Sequence, residues 1–380
     1  MKLLFFTGSR SEWGYIRPLL NLCKREKINF KICATNMLLL DSFGLAKKEI
    51  EKDGFKVNEE IFMALDGYNN TTMTKSMGVL LQSFTDTLSR EKPTWLLVAG
   101  DRGETLIATI AAAYMNIPIA HIQAGELSGN IDGQARHAIG KFAHLHFASN
   151  FDAALRLKKL GEQDFRIFNY GAPQLDDLRD DNYVNLNKKY FEKKFNLDFK
   201  KNYCISVYHP VVEEEKKNEK MFLNYQKNIN NLEINKIWIC PNNDSGGNFI
   251  KKQIYLKRGA DDFVFENLPR HEYLSLLKNS KFIIGNSSSG ILESASFKIP
   301  CINIGRRQNK RLRAKNVIDI KYLNKKNLRI AINKINSKSF RNMLKKLKNP
   351  YGDGFSSKKI LQEILNTKIN EKLLYKELNY

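Results

Sequence analysis

The fold is decided by residues 95–126, which read WLLVAGDRGETLIATIAAAYMNIPIAHIQAGE. The apolar run 95–99 leads into a glycine turn, and a stretch rich in alanine and isoleucine follows at 105–115. A second apolar run then occupies 119–122. Short apolar runs on either side of a segment of helical length are typical of a βαβ unit, in which the two strands lie parallel. We therefore predict strand, helix and strand here, within a mainly parallel sheet.

The same alternation extends along the chain in both directions. Further strands are predicted at residues 3–7, 30–35, 203–208, 237–240, 263–265, 282–285 and 301–304, and further helices at 14–24 and 77–90. The charged stretch 175–201 is predicted to be a linker. The α/β class with two Rossmann-like domains follows, residues 1–175 and residues 176–355. Ligands of such sheets bind beyond the carboxyl ends of the strands, so functional residues are expected directly after strands.

Composition excludes several classes of protein. The net charge is +22 in 380 residues, but the excess lysine is spread among asparagine and isoleucine, as on solvated helix faces. No nucleic-acid motif accompanies it, so we expect neither a nucleic-acid nor a membrane partner. Five scattered cysteines without a CxxC pair predict a reducing, cytoplasmic location. The apolar stretch 106–122 contains Asn116 and Pro118, and a buried helix followed by a strand explains it better than a membrane span.

Charged side chains follow the predicted strands of the first half. Asp101 stands between a strand and a helix, where the alternative role is a helix N-cap. Glu126, Asp132 and His137 come after the next strand. Because adjacent parallel strands end at one edge of the sheet, we expect these four side chains to share a cleft. Arg10 stands beside a glycine turn near a helix start and is a candidate phosphate ligand.

Serines follow a predicted strand of the second half. Ser287 and Ser288 offer hydroxyls and backbone amides to a diphosphate, and Glu293 lies where it can accept hydrogen bonds from ribose hydroxyls. The alternative is a serine-rich cap followed by an ordinary helical glutamate. His209 also stands directly after a strand.

The histidines do not predict a metal site. His121, His137, His144 and His146 match no zinc-binding spacing. We expect them to be hydrogen-bonded structural residues or substrate contacts.

The polar motifs form a recognisable series in their order and spacing. They are GSRSEWG at 8–14, GDR at 100–102, HIQAGE at 121–126, IDGQARH at 131–137, HP at 209–210, PNND at 241–244, GNSSSG at 285–290 and NPYGDG at 349–354. This series resembles the UDP-N-acetylglucosamine 2-epimerase family nearly end to end, particularly its hydrolysing branch in sialic and legionaminic acid biosynthesis.

The resemblance implies a GT-B-like arrangement of the two domains, with the ligand in the interdomain cleft and a C-terminal helix, residues 356–380, packing back on the first domain. It implies that a set of polar residues binds substrate or nucleotide: Arg10, Arg102, Gln123, His137, Asn242, Ser287, Ser288, Glu293 and Arg307. It implies that Asp101, Glu126, Asp132 and His209 carry out or support catalysis. It implies a nucleotide-sugar substrate and, by analogy, a homo-oligomer, either dimer or tetramer. No motif in the sequence implies a metal or another cofactor.

The chemistry of the family accounts for these residue types. The hydrogen at sugar C2 is not acidic enough for simple removal, so its loss is paired with departure of the nucleoside diphosphate from C1. A carboxylate takes the proton while arginines and helix N-termini stabilise the leaving group. Hydration of the resulting glycal gives a free manno-configured sugar. We therefore predict a hydrolysing epimerase that converts UDP- or GDP-N-acetylglucosamine, or a related diacetamido sugar, for nonulosonic acid biosynthesis.

Two positions depart from the family pattern. Gln123 stands where hydrolysing members usually have Glu or His, and Gly133 stands where they have a second acid. Glutamine can orient a substrate but is no base at neutral pH. The departures leave open a modified sugar or a guanine nucleotide. They also leave open three alternatives: a non-hydrolysing epimerase, a GT-B glycosyltransferase, and a nucleotide-sugar-binding protein whose catalysis has decayed.

Overall fold

The chain divides into two compact units. The computed structural model describes residues 1–40, 47–65, 70–127, 131–179, 184–196, 202–211, 215–241, 246–266, 268–377 and 379. Of the candidate residues, Asn242 lies outside these ranges. The first unit comprises Met1–Leu127, Ile131–Asp177 and Tyr351–Tyr380, and the second is built mainly of Leu178–Pro350.

Strands and helices alternate through most of the chain. The strands are β1 (Lys2–Thr7), β2 (Asn29–Thr35), β3 (Glu59–Ile61), β4 (Trp95–Ala99), β5 (Ile119–Ala124), β6 (Leu145–Ala148), β7 (Ile167–Asn169), β8 (Tyr203–Val207), β9 (Asn235–Ile239), β10 (Phe263–Phe265), β11 (Ile283–Gly285), β12 (Cys301–Ile304) and β13 (Val317–Ile320). The α-helices are α1 (Arg10–Arg25), α2 (Lys47–Lys52), α3 (Asn70–Glu91), α4 (Gly103–Tyr114), α5 (Ile131–Phe142), α6 (Phe151–Lys159), α7 (Lys188–Phe195), α8 (Glu215–Asn230), α9 (Gly247–Lys257), α10 (Arg270–Asn279), α11 (Ser289–Leu292), α12 (Lys325–Asn336), α13 (Lys338–Lys345), α14 (Ser356–Asn366) and α15 (Glu371–Leu374). Short 3-10 helices occupy Asn36–Leu38, Asp164–Arg166 and Pro173–Arg179.

The first unit contains a seven-stranded parallel sheet in the order β3-β2-β1-β4-β5-β6-β7. Successive side chains of a strand point to opposite faces. Leu3 and Phe5 therefore lie in the core shared with α1, and Leu4 and Phe6 lie in the core shared with α3. Helices cover both faces, which explains why the central strands are almost wholly apolar.

The second unit contains a six-stranded parallel sheet in the order β10-β9-β8-β11-β12-β13. One face buries Cys204 and Trp238, and the other buries Ile205 and Ile237. Both units are thus parallel sheets covered by helices, and the predicted class of two Rossmann-like α/β domains is confirmed.

The last long helix belongs to the first unit, although it follows the second unit in sequence. Ile360, Leu361 and Ile364 of α14 are buried in the same core as β1 and α1. The Asp176 carboxylate accepts hydrogen bonds from the backbone N–H groups of Ser356 and Ser357, at 3.0 and 2.7 Å, and so caps the N-terminus of α14. Within the described ranges, no helix combines the length and the apolar character needed to cross a membrane.

Several elements differ from those that the sequence predicts. Helix α1 begins four residues earlier than predicted because Ser9 caps it, with its hydroxyl accepting from the N–H of Glu12. The edge strands β3, β7 and β13 were not predicted, since they are short and incompletely buried. The predicted linker contains α7, whose Phe191 is fully buried in the same core of the second unit as Ile205 and Ile237.

Candidate functional site

The carboxyl edge of the first sheet joins residues from β4, β5 and α5. Asp101, directly after β4, forms an ion pair with Arg136 of α5. Arg136 is 4% exposed, and its second nitrogen donates to the carbonyl oxygen of Gln123 at 2.7 Å. The buried guanidinium of Arg136 therefore holds Asp101 and the end of β5 in fixed positions. Hydrogen bonds from a charged donor are stronger than those between neutral groups.

Gln123 adopts a backbone conformation that residues other than glycine rarely adopt. Its φ is +62°, and the pairing of β5 with β6 shifts register between Ile122 and Ala124. The side-chain Nε2 donates to Oε1 of Gln174 at 2.8 Å, and both amides are buried. Left-handed backbone at a non-glycine residue costs about 1 kcal/mol or more and is concentrated at functional sites. The role of Gln123 as a substrate contact stays a prediction.

Glu126 is buried and tied to the neighbouring strand end. Its Oε1 accepts hydrogen bonds from the hydroxyl of Ser149 and from Nδ2 of Asn150, which itself caps α6. Oε2 accepts no hydrogen bond from the described part of the chain. The carboxylate therefore fixes the loop after β5, and one of its oxygens retains its acceptor capacity.

Helix α5 carries Asp132 in its first turn and His137 near its middle, and both side chains are half-buried. Burial, together with the nearby charge of Arg136, lowers the pKa of His137. Its Nδ1 is buried without a hydrogen-bond partner among the described residues. A histidine with a lowered pKa is neutral at pH 7, so it serves as a hydrogen-bonding group rather than as a cation.

The glycine turn after β1 is occupied by a carboxylate of the chain itself. The N–H of Gly8 donates to Glu12 Oε2 at 2.6 Å, and the hydroxyl of Thr105 donates to Oε1 at 2.5 Å. Burial and the adjacent Glu104 raise the pKa of Glu12 to about 7. Arg102 reaches this cluster through Glu104, with 3.0 Å between Nε and Oε1. This buried pair of acids was missed in the sequence, because spacing does not show which amide a carboxylate will accept from.

Arg10, the predicted phosphate ligand of this turn, lies apart from that cluster. Its Nε stands 3.2 Å from Glu49 Oε1, and its side chain is 39% exposed. The described contacts thus bring together Asp101 and Gln123 through Arg136, and they leave Arg10 in a surface ion pair.

In the second unit, one amide holds the backbone of His209. Oδ1 of Asn286 accepts from the N–H of His209 at 2.7 Å, and Nδ2 donates to its carbonyl oxygen at 2.8 Å. Asn286 is 1% exposed, and it follows Gly285, whose φ of +133° permits a close approach to Val207. A β-carbon on Gly285 would lie 1.9 Å from the Val207 oxygen, so only glycine fits there.

The backbone carbonyl of Asn286 accepts hydrogen bonds from two residues of the turn after β12. Arg307 donates to it at 3.3 Å and Gln308 at 2.9 Å. His209 and Arg307, predicted separately, therefore both contact one residue that the predictions omitted. Its position in the run of glycine, asparagine and serines after β11 is the sequence feature from which Asn286 could have been predicted.

The serine run is followed by a helix of only four residues, α11, with Glu293 at its C-terminal end. Ser287 and Ser288 are half-buried. Glu293 accepts from Arg270 at 2.7 Å and from the hydroxyl of Ser289 at 2.6 Å. These bonds fix Glu293, and a helix of only one turn contributes little dipole to this place. Arg270 was not among the predicted residues, because it lies 23 positions upstream.

The remaining histidines make structural contacts. His121 Nε2 lies 2.8 Å from the Gly100 oxygen, and His144 Nδ1 accepts from the N–H of Ile119 at 3.1 Å. His146 Nε2 lies 2.9 Å from Glu162. Burial lowers the pKa of His121 to about 3. No group of three potential metal-ligating side chains was found in the described residues.

A cavity of about 600 Å³ lies at the amino ends of the strands of the second sheet. Asn202, Ser280 and Pro300, which precede β8, β11 and β12, are among its lining residues. In parallel α/β sheets ligands bind at the carboxyl ends of strands, and this cavity lies at the amino ends. The candidate residues of each unit, by contrast, follow the carboxyl ends of that unit's own strands, and this cavity includes none of them.

The sequence of the chain matches the model of a known protein family. Its sequence model, UDP-N-acetylglucosamine 2-epimerase, matches residues 21–365. The chain belongs to this family of enzymes, and the resemblance inferred from the motifs is confirmed.

Two relatives share 36% identity with the chain. The UDP-N,N'-diacetylbacillosamine 2-epimerase (hydrolyzing) of Legionella pneumophila aligns over 386 residues, 99% of this chain and 98% of the relative. The GDP/UDP-N,N'-diacetylbacillosamine 2-epimerase (hydrolyzing) of Campylobacter jejuni aligns over 346 residues, 90% and 88%.

Solved structures share the fold at lower identity. UDP-GlcNAc 2-epimerase of Neisseria meningitidis, bound to UDP-GlcNAc, matches with a TM-score of 0.81 and 19% identity, over 97% of this chain and 100% of that chain. The Methanocaldococcus jannaschii enzyme in complex with UDP-GlcNAc and UDP gives 0.80 and 22% identity, over the same shares.

Proposed function

We propose that this protein is a hydrolysing 2-epimerase of a nucleoside-diphosphate-linked diacetamido sugar of the N,N'-diacetylbacillosamine type. The observation that carries the proposal is 36% identity over 99% of the chain with a relative named for that activity. The carboxylates of Asp101 and Asp132, on elements that meet at the carboxyl edge of the first sheet, supply the chemistry that such a reaction needs.

The reaction divides into elimination and hydration. A carboxylate takes the C2 proton, the electron pair of the C–H bond forms the C1=C2 double bond, and the bond from C1 to the diphosphate oxygen breaks. Water then adds its oxygen to C1, and a proton returns to C2 from the opposite face. Free sugar in the manno configuration and a nucleoside diphosphate are the products. We assign the proton transfers to Asp101, Asp132 and Glu126, because Gln123 has no basic form at neutral pH.

The ion pair of Asp101 with Arg136 supports this assignment. The buried guanidinium of Arg136 holds the Asp101 carboxylate in one orientation, which a group that transfers a proton requires. Glu126 has one oxygen engaged by Ser149 and Asn150, which suits a role in which it orients substrate or exchanges a proton through Oε2.

We assign the nucleotide and the leaving diphosphate to residues of the second unit and to three side chains of the first. They are His209, Asn242, Ser287, Ser288, Glu293, Arg307, Arg10, Arg102 and His137. Glu293, fixed by Arg270, accepts hydrogen bonds from ribose hydroxyls. The cationic side chains stabilise the charge that grows on the diphosphate as the bond to C1 breaks.

Gln123 offers a hydrogen-bond acceptor that a diacetamido substrate can use. Its Nε2 is engaged by Gln174, so the acceptor Oε1 remains to receive an amide N–H. A second acetamido group on the sugar provides such a donor where N-acetylglucosamine has a hydroxyl. In Gln123→Glu the Nε2 donor to Gln174 is lost and a carboxylate oxygen faces Oε1 of Gln174, so we expect kcat/KM for the diacetamido sugar to fall. A general gain with both substrates would instead mean that the site lacks an acid.

The direct test is proton NMR in D₂O with the UDP- and GDP-linked diacetamido sugars and with UDP-N-acetylglucosamine. Free manno-configured sugar carrying deuterium at C2, formed together with the nucleoside diphosphate, is the expected result. A nucleotide-linked epimer would instead indicate a non-hydrolysing epimerase. Binding without any product would indicate a protein whose catalysis has decayed.

We further propose a cytoplasmic location, a role in nonulosonic acid biosynthesis and a homo-oligomer, either dimer or tetramer. The five cysteines are all buried and free, which supports a reducing compartment. Light scattering of the purified protein tests the oligomer, and a monomeric mass would refute it.

A further inference from the structure

The C-terminal segment after α14 is anchored to the helix that carries Asp132 and His137. The ammonium of Lys376 donates to the carbonyl oxygens of Gly140, Lys141 and Ala143, at 2.6, 3.0 and 2.9 Å. These are among the last carbonyls at the end of α5, which find no partner within the helix. A positive charge at a helix C-terminus also interacts favourably with the helix dipole.

Glu162 completes the surroundings of Lys376. Its carboxylate lies 2.6 Å from the Lys376 nitrogen, 2.9 Å from His146 and 3.1 Å from Lys141. Burial lowers the pKa of Lys376 to about 8, against the opposing effect of Glu162. The ammonium is therefore protonated at neutral pH, and its three N–H groups are shared between the carbonyls of the helix end and the Glu162 carboxylate.

The segment that carries Lys376 is itself held firmly. The guanidinium of Arg166 is fully buried and donates to the carbonyl oxygens of Lys372 and Leu373, each at 2.8 Å, and to that of Tyr375 at 3.3 Å. Leu373 is buried in the core of the first unit. The backbone that carries Lys376 is thus fixed, and the contact of Lys376 with α5 is restrained from both sides.

Helix α5 is consequently held at two points. Arg136 anchors its middle through Asp101 and the carbonyl of Gln123, and Lys376 anchors its end. We propose that Lys376 is a positioning residue, which fixes the axial placement of α5 and thereby the reach of Asp132 and His137 towards substrate. This inference rests on the proposed function. A displacement of about 1 Å at reacting groups can cost about 10²-fold in rate.

Lys376→Met tests the inference, with Lys368→Met, an exposed lysine of the same C-terminal region, as the matched control. For Lys376→Met we expect kcat to fall about 10- to 100-fold, with KM and UDP affinity within about threefold of the wild type. We also expect faster hydrogen exchange of the amides at the end of α5. UDP-binding stoichiometry counts the folded protein in each sample. The control should match the wild type in all three readouts.

Lys376→Arg gives a second variant, in case the methionine protein does not fold. It keeps the charge, but its planar guanidinium cannot direct three N–H groups from one nitrogen to three carbonyls. We expect an intermediate kcat. Unchanged kcat in either variant, or unchanged exchange in α5, would overturn the positioning role. Absence of turnover by the wild type would overturn the proposed function instead, and the exchange measurement distinguishes the two failures because it needs no substrate.

Discussion

Replacing Asn286 by Asp substitutes an oxygen for the amide nitrogen that donates to the His209 carbonyl. The native amide accepts from the His209 N–H at 2.7 Å and donates to its carbonyl at 2.8 Å, in a setting that is 1% exposed. Aspartate has the same shape and keeps the first hydrogen bond. Its second oxygen, however, faces the carbonyl oxygen of His209 without a proton to share.

The cost can be worked from these contacts. A lost hydrogen bond is worth about 0.5–1.5 kcal/mol, and a buried polar group left unpaired costs about 1–3 kcal/mol. We therefore expect Asn286→Asp to lower the free energy of unfolding of the second unit by about 2–4 kcal/mol at about pH 8. The affinity for UDP should fall as well, because His209 loses its fixed backbone.

The variant should also acquire a pH dependence with a defined sign. Burial and the facing carbonyl raise the pKa of the new carboxyl above its unfolded value of about 3.9. Between these two pKa values the folded state binds more protons than the unfolded state, so stability rises as pH falls. A protonated carboxyl can donate to the His209 carbonyl again. The deficit against the wild type should therefore shrink from about pH 8 to about pH 5.

Urea unfolding followed by pulse-labelling hydrogen exchange and mass spectrometry reports the second unit separately. Asn309→Asp, at an exposed asparagine of the same unit, introduces the same charge and serves as the control. The reasoning would be refuted if Asn286→Asp stayed within about 0.5 kcal/mol of the control at about pH 8. It would equally be refuted if the deficit grew as the pH fell.

Three further outcomes are expected. Asp132→Asn should lower turnover about 10²–10⁴-fold with UDP affinity almost unchanged, and NMR progress curves with full activity would remove Asp132 from the mechanism. Ser288→Tyr should abolish binding of free UDP and GDP in calorimetry, and normal affinity in a folded sample would argue against the diphosphate assignment. The pKa of Glu12 is raised to about 7 by burial and by Glu104, so the wild type loses stability as pH rises towards and through that value. Glu12→Gln should therefore gain stability relative to the wild type between about pH 5 and about pH 8, and equal pH slopes in urea unfolding would contradict this.

Much of the architecture could be predicted because its signals are local. Apolar runs separated by segments of helical length identify parallel strands, and the central strands β4 and β5 are buried throughout. The short edge strands β3, β7 and β13 escaped prediction, because an edge strand is only partly covered and needs no continuous apolar run. Helix α7 escaped for a related reason: four of its eight residues are lysines, and Phe191 is its one fully buried side chain.

The candidate site was predictable only residue by residue. Asp101, Glu126 and His209 could be selected because polar groups after buried strands stand out in the sequence. Their partners could not, because Arg136 is 35 positions from Asp101 and Asn286 is 77 positions from His209. No periodicity links such pairs, since each depends on how strands are ordered within a sheet.

The sequence by itself thus determined the α/β class, the family and the identity of the strand-end residues, since each depends on short-range pattern or motif order. Tertiary structure alone decided that Gly8 donates to Glu12, that Glu126 joins two strand ends, and that Lys376 caps a helix 233 to 236 positions away. The physical reason is that a hydrogen bond depends on distance in space. Buried polar groups must find partners wherever packing brings donors and acceptors together, however far apart they are in the chain.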